Sequence, residues 1–345
     1  MAEFNSKTFN AEAFGKYMER IPDTKKQELL RAGVFTGDKN ISDTFATQTG
    51  QHYAVIPMKG LIGGTPLNYD GKTDITAETT KTYTQGVIAL GRAMAWYEED
   101  FSYDITGGVD FMGNVASQVA VYWSNVYQSM LLSILKGVFA TKDKEFASHT
   151  YDISDKTGEE AKVGATTLNS ATAQACGDNK NKFDIVIMHS VVATNLENLQ
   201  VLTNFKVNDA NGMQRDVSLA SWNGRTVFID DSMPMEKVAG GSTGQDTYKY
   251  TTYILGRGAF KFADLVVKVP NEMYRNPLVH GGKDQLITRR RFVIAPFGFS
   301  FTKTDTVSPS DKELEKGDNW ALVKSTDGDK IDVKAIPIAR IVSKG

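Results

Sequence analysis

The sequence predicts an α+β fold in which one long helix supports strand-rich segments, and three observations carry that expectation. An apolar run between residues 111 and 139 has helical spacing on two adjoining stripes. Beyond residue 180, short runs of β-branched and aromatic residues alternate with glycine and asparagine turn signals, as strands do. Ahead of the helix lies a stretch, Asn40 to Gln51, that is too polar to build much core and reads as an arm.

Each element follows in order. Phe9, Phe14, Met18 and Ile21 sit near helical spacing, and Pro22 ends that run. Asp23 can cap a second short helix that Gly33 would terminate. After the polar arm, Val55 to Gly71 is punctuated by glycine and proline, with Asp70-Gly71 a strong turn signal. It reads as an extended, poorly self-packed hairpin reaching about Glu78. Apolar Leu61, Ile62 and Leu67 in such a hairpin would be costly to leave in water, which points to a partner surface. Thr82 to Glu99 reads as a long strand, or strand plus turn.

The helix is the clearest element. Val115, Val119, Tyr122, Val126 and Met130 form one stripe. Trp123, Tyr127, Leu131, Ile134 and Val138 form the other. Its span would be roughly 43 Å at 1.5 Å per residue. Gly137, near its end, reads as fraying or a cap. Further on, Leu168 to Ala175 reads as a short helix and Asp184 to His189 as a buried strand, with Ser190 capping a helix that carries Val192, Leu196 and Leu199. Trp222 to Asp231 reads as turn then strand. Gly240-Gly241-Ser242-Thr243-Gly244 reads as a mobile loop. Strands are expected at Tyr248 to Leu255, Leu265 to Val269, Leu286 to Phe301 and Ile336 to Val342.

Composition excludes several classes. The chain has 345 residues, enough for two or more packed units of roughly 100–200 residues each. Hydrophobic residues at 41% and charged residues at 23% are ordinary for a globular protein and argue against disorder. A formal charge of −2 lacks the basic excess of a chain that reads nucleic acid through its phosphates. Cys176 is the only cysteine, so no internal disulfide is expected. No signal peptide opens the chain and no apolar run reaches membrane-spanning length, so a soluble protein folded in a reducing cytoplasm is expected.

No catalytic constellation is expected. His52, His149, His189 and His280 are dispersed, and none has metal-ligand spacing with Cys176 or a carboxylate. Residues 240–244 spell Gly-x-Ser-x-Gly, but a nucleophile elbow needs a buried strand before it and a helix after it, and neither is read there. No phosphate-cradling glycine motif opens a helix. Asp230-Asp231 and Glu98-Glu99-Asp100 are carboxylate clusters, but neighbours on a strand face opposite ways. Arg289 and Arg291 share one strand face and Arg290 the other, and ion pairing is favoured over DNA contact. No catalytic residue, cofactor or metal is therefore assigned.

The order of elements, together with four segments, resembles the capsid fold of tailed bacteriophages, the Hong Kong 97 type. Those segments are Phe183 to Ser190 leading into an apolar helix, Gly224 to Pro234, Tyr250 to Ala259 and Arg291 to Phe299. The resemblance covers about Ala54 to Ser300. It implies an N-terminal arm (1–50), an E-loop hairpin (51–81), a P domain with its spine helix (82–155), an A domain (156–255), and a return to the P domain with C-terminal strands (256–345). It also implies a major capsid protein that self-assembles as hexamers and pentamers into an icosahedral shell around double-stranded DNA, without sequence-specific readout and without a membrane. Scaffolding, portal and head-completion or decoration proteins would be partners. The chain would assemble in the host cytoplasm and reside in the virion capsid.

Within that resemblance, Lys59, Leu61, Ile62, Leu67 and Tyr69 would make intersubunit contacts from the hairpin. Gly240, Gly241 and Gly244 would form the mobile A-domain loop. Some relatives crosslink an E-loop lysine to a neighbour; Lys59 and Lys72 lie in the hairpin, but no matching asparagine or glutamate motif accompanies them. Two other readings remain open at this point. An encapsulin-like nanocompartment shell shares the fold, and Phe9 to Ile21 could imitate its cargo-docking helix. A soluble serine hydrolase would need a histidine beside Ser242.

Overall fold

The computed structural model describes residues 33–47, 52–60, 66–72, 74, 82–100, 115–208, 214–238 and 247–344. The two short helices expected before residue 31, Leu61, Ile62, and the loop with Gly240, Gly241, Ser242 and Gly244 lie outside them.

The described chain opens with β1 (Phe35–Gly37) and α1 (Lys39–Thr47), then β2 (Tyr53–Lys59), β3 (Thr82–Ile88) and β4 (Leu90–Glu99). The long helix α2 (Val115–Phe139) follows. Next come β5 (Thr150–Asp152), α3 (Thr167–Cys176), β6 (Phe183–Met188), α4 (Ser190–Asn198), β7 (Thr203–Asn208), β8 (Gln214–Trp222) and β9 (Arg225–Ile229). The last part holds β10 (Met235–Val238), β11 (Thr247–Gly256), β12 (Phe260–Asp264), β13 (Asn271–Asn276), β14 (Lys283–Pro296) and β15 (Phe299–Phe301). It closes with α5 (Asp311–Leu314), β16 (Trp320–Leu322), β17 (Lys324–Ser325) and β18 (Ile338–Ser343).

Two sheets organise these elements. In the first, β14 is the hub: it pairs antiparallel with β12, β13 and β4, and β1 adds to β12 in parallel. The second runs β5-β18-β11-β6-β9-β8-β7, with β10 on β11, and holds α3 and α4. Here β6 and β9 are parallel, while Asn223 and Gly224, both with positive φ, turn β8 back into β9. Asparagine-glycine tolerates that left-handed pair of residues, which fixes the register of this hairpin.

The long helix lies where both sheets meet. Met130, Leu131, Ile134, Leu135 and Val138 are buried among strands from each. A fully buried aliphatic side chain contributes about 1.5–3 kcal/mol, so this single helix anchors much of the fold. Its last turn carries Lys136, which offsets the partial negative charge of the C-terminus and pairs with Glu315 at 2.7 Å.

The structure departs from the sequence expectations in several places. Residues 39–47 are a helix whose Ile41 and Phe45 are buried against Ala54, Ile56, Val87 and Val293, so this segment is core and not only a polar arm. Leu265 to Val269 is not a strand. The ladder runs instead over Phe260–Asp264, and Val266 is 89% exposed. Leu286 to Phe301 is two strands, broken at Phe297-Gly298, where Gly298 has φ +82°. Gly137 neither frays nor caps: an added Cβ would sit 1.9 Å from the Leu314 carbonyl oxygen, so the glycine lets α5 and Trp320 close on the helix.

Candidate interaction surfaces

The first strand of the expected hairpin is paired, but its partner is β3, which lies beyond the Glu78 limit read from the sequence, in the segment read there as a separate strand. β2 and β3 match from Tyr53 opposite Ile88 to Lys59 opposite Thr82. Along β2 the side chains alternate: Ala54, Ile56 and Met58 turn inward, while Val55, Pro57 and Lys59 face water. Proline is tolerated because β2 is the outer strand of the β17-β3-β2 sheet. Lys59 occupies the last paired position and is exposed. Beyond it, residues 66–72 are exposed, with Leu67 50% and Tyr69 91% accessible. Asp70 Oδ1 accepts the Lys72 backbone N–H at 2.8 Å, and Gly71 has φ +72°, so the Asp-Gly turn read from the sequence holds.

A second surface was not read from the sequence. The β4, β14 and β13 strands have two distinct faces. On one, Trp96, Leu286 and Thr288 pack against α2, and Trp123 Nε1 donates to Thr288 Oγ1 at 3.2 Å. On the other, Tyr97 and Tyr274 flank Gln285, and Ala95 and Glu272 flank Ile287. Tyr97 is 63% and Tyr274 52% exposed. The open face is stiffened at its margins: Arg289 Nη1 donates to Glu272 at 2.9 Å, and the Lys283 ammonium lies 3.6 Å over the Tyr97 ring. At the turn joining β13 to β14, Leu278 is 92% exposed, while Arg275 bridges Asp100 and Asp284 beneath it. Outward alternation of Ala93, Ala95 and Tyr97 was the available signal, but it has meaning only once the neighbouring strands are known.

The proposed catalytic look-alikes take structural roles. Asp230 accepts from Gln128 Nε2 at 2.7 Å and from Ser232 Oγ at 2.6 Å. Asp231 accepts from the Ser190 N–H, and the Ser190 hydrogen bonds hold its carboxyl below the usual carboxylate range. His189, not Ser190, caps α4: its Nδ1 accepts the Val191 N–H at 3.1 Å. His52 bonds the Thr304 carbonyl, His280 stands 3.5 Å from Glu99, and His149 is buried with Nδ1 2.7 Å from the Ile338 carbonyl oxygen. Among the described residues, no three His, Cys, Asp or Glu side chains converge on a possible metal site. The Gly240-to-Gly244 segment lies outside the described residues; its flanks, β10 and β11, are antiparallel neighbours with Val238 opposite Thr247. No described helix is long and apolar enough to cross a membrane.

Comparison with known proteins agrees with a surface built for assembly. The family described as Gp13-like, major capsid protein 13-like, matches residues 108–330. The major capsid protein of Bacillus phage SPP1 is 29% identical over 302 residues, spanning 87% of this chain and 88% of that protein. Two solved structures share the fold at low identity. One is the capsid of Ralstonia phage GP4, with TM-score 0.54 and 11% identity over 90% of this chain and 87% of that one. The other is the capsid asymmetric unit of cyanophage Pam1, with TM-score 0.52 and 12% identity over 90% and 88% of the two chains.

Proposed function

The chain belongs to the Gp13-like family of major capsid proteins, and from that premise we propose how its surfaces build a shell. It is a structural protein of the tailed-phage virion and not an enzyme, and its fold is that of phage capsids. Membership of this family sets aside both the cellular nanocompartment and the serine hydrolase readings.

The finer reading is ours. Copies form hexamers and pentamers that close into an icosahedral shell enclosing double-stranded DNA, which they confine without reading. Scaffolding, portal and head-completion or decoration proteins are the expected partners, and assembly takes place in the host cytoplasm. Residues 1–50 serve as the arm, 51–81 as the E-loop, 82–155 and 256–345 as the P domain, and 156–255 as the A domain. Contacts between copies run from the hairpin (Lys59, Leu61, Ile62, Leu67 and Tyr69), and the loop with Gly240, Gly241 and Gly244 adapts to different neighbours.

One observation carries this reading. Leu67 and Tyr69 are exposed beyond a stem whose inner side chains are buried, and this supports a tip that is covered by another molecule. A contact between unlike patches can propagate and close into rings. The test is a Leu67→Asp, Tyr69→Asp double variant, examined by thermal unfolding and by electron microscopy of assembly reactions. It should unfold at the wild-type temperature and form no closed shells. Normal shells from this variant would remove the hairpin from the contact.

A further inference from the structure

The base of the hairpin is held to the body in an unusual way. β3 is laddered on its body side by β17 over only two residue pairs, Lys324 opposite Thr84 and Ser325 opposite Tyr83. Beyond them the attachment passes to side chains. Gln85 is fully buried, and its Nε2 donates to the Pro296 carbonyl at 2.8 Å and the Phe299 carbonyl at 2.9 Å. The Gly86 N–H donates to Ser300 Oγ at 3.0 Å. Tyr53 Oη, from β2, donates to the Phe301 carbonyl at 3.0 Å. All four acceptors lie on the single turn and strand that carry β14 into β15.

Gly86 makes the arrangement possible. An added Cβ there would lie 1.8 Å from Tyr53 Oη, so only glycine lets the phenol cross β3 to reach the carbonyl. Gln85 is not the choice that maximises stability. Its Oε1 is buried with no hydrogen-bond partner among the described residues, and an unmet buried acceptor is destabilising. An aliphatic side chain would fill the space without that penalty, but it would not point at two particular carbonyls. Directional bonds of this kind specify geometry where packing alone specifies only proximity.

We propose that Gln85, Tyr53 and Ser300 are positioning residues that set the angle at which the hairpin leaves the body, and through it the curvature of the shell. The proposal rests on the reading that the hairpin makes the contact between copies. A lever whose tip touches a neighbour transmits any change at its base into the angle between the two copies. Four bonds on one short segment make that angle discrete. Removing one leaves the hairpin paired within itself but loosely aimed.

The test uses the full chain carrying Tyr53→Phe, Ser300→Ala or Gln85→Met, beside the Tyr69→Asp tip variant. Hydrogen exchange on the unassembled protein reads the clamp, and microscopy of assembled shells reads the angle. Tyr53→Phe and Ser300→Ala should each speed exchange of the amides in 53–59 and 82–88 by about fivefold to tenfold, the effect of about one hydrogen bond, and Gln85→Met, which loses two, by at least as much. Amides of the long helix should exchange at the wild-type rate, and shells should form with several diameters in place of one. Shells of a single wild-type diameter from Tyr53→Phe and Ser300→Ala would overturn the proposal, as would faster exchange spread evenly through the molecule. Should Gln85→Met fail to fold, those two milder variants decide. The tip variant separates the two ideas: if it assembles normally, the contact reading fails, whatever the clamp variants do.

Discussion

The same three strands, β4, β13 and β14, present one face to the long helix and the other to water. Leu286 and Ile287 are neighbours in sequence, yet Leu286 packs beside Trp96 and Trp123 while Ile287 lies between Ala95 and Glu272 on the open side. The covered face is closed by interlocking rings, with Trp96 and Tyr122 centroids 5.2 Å apart and edge-on. The open face has rings as large, Tyr97 and Tyr274, but no element of this chain covers them among the described residues. Alternation along a strand thus divides labour by parity: one set of residues holds the fold, and the next set is available to other molecules.

The division can be broken by substitution. Leu286→Ala should cost about 2–5 kcal/mol, read as a fall in the urea midpoint. Ile287→Ala, one residue away, should cost well under half of that in the unassembled protein, and equal losses at the two sites would mean that the faces are not distinct. Next in size is Gly137→Ala on the covered side, expected to cost about 1–3 kcal/mol because the Leu314 carbonyl and the Trp320 ring must retreat. A calorimetric transition at the wild-type temperature would show that α5 moves aside freely.

Trp123→Phe keeps a ring but deletes the bond to Thr288, and should cost about 1 kcal/mol by the same measurement. On the open face, Tyr97→Ala with Tyr274→Ala should change stability by less than about 0.5 kcal/mol yet slow shell formation. Assembly followed by light scattering at the wild-type rate would leave that face without a role. The smallest effect at neutral pH grows on acidification. Burial pushes the His149 imidazole below its usual range, opposed by its bond to the Ile338 carbonyl. The folded state therefore prefers neutral His149: its stability contribution is complete above the unfolded value, about 6.5, and is lost as pH falls below it. The slope of stability against pH below about 6 should flatten in His149→Gln, and an unchanged slope would place the acid sensitivity elsewhere.

What could be read in advance follows the same parity. The long helix was legible because its two apolar stripes are the sides that are covered, while Gln118, Val121, Asn125 and Ser129 face water, so local spacing and final burial largely agree. The Asn223-Gly224 turn was legible because its backbone demands those residues. Leu265 to Val269 is apolar but not buried: the Leu265 N–H still bonds the Arg291 carbonyl in register with the ladder, and one residue later Val266 stands in water. Residues 39–47 misled in the opposite sense, since only Ile41 and Phe45 of that helix reach the core. Of the surfaces, Leu67 and Tyr69 stood out as apolar residues in a turn-rich segment. Tyr97 and Tyr274 did not, because they lie on strands far apart in sequence. The Gln85 clamp had no sequence signal at all: its acceptors are backbone carbonyls, which every residue has.

The position of β18 has a consequence for how the protein is made. This late strand is not an edge addition. It lies between β5 and β11, pairing in parallel with one and antiparallel with the other. Without residues 338–343 the larger sheet has a gap one strand wide between β5 and β11, and Tyr253 and Ile254 lack their ladder partners Arg340 and Ala339. Closing that part of the sheet pairs strands far apart in sequence, which makes it a slow step by topology. A polypeptide interrupted before this strand cannot complete the sheet and should be degraded or aggregate, because exposed strand edges are unstable in the cell. The larger sheet is therefore completed by a strand from the end of the described chain, which joins β5 to β11 only when residues far apart in sequence have come together.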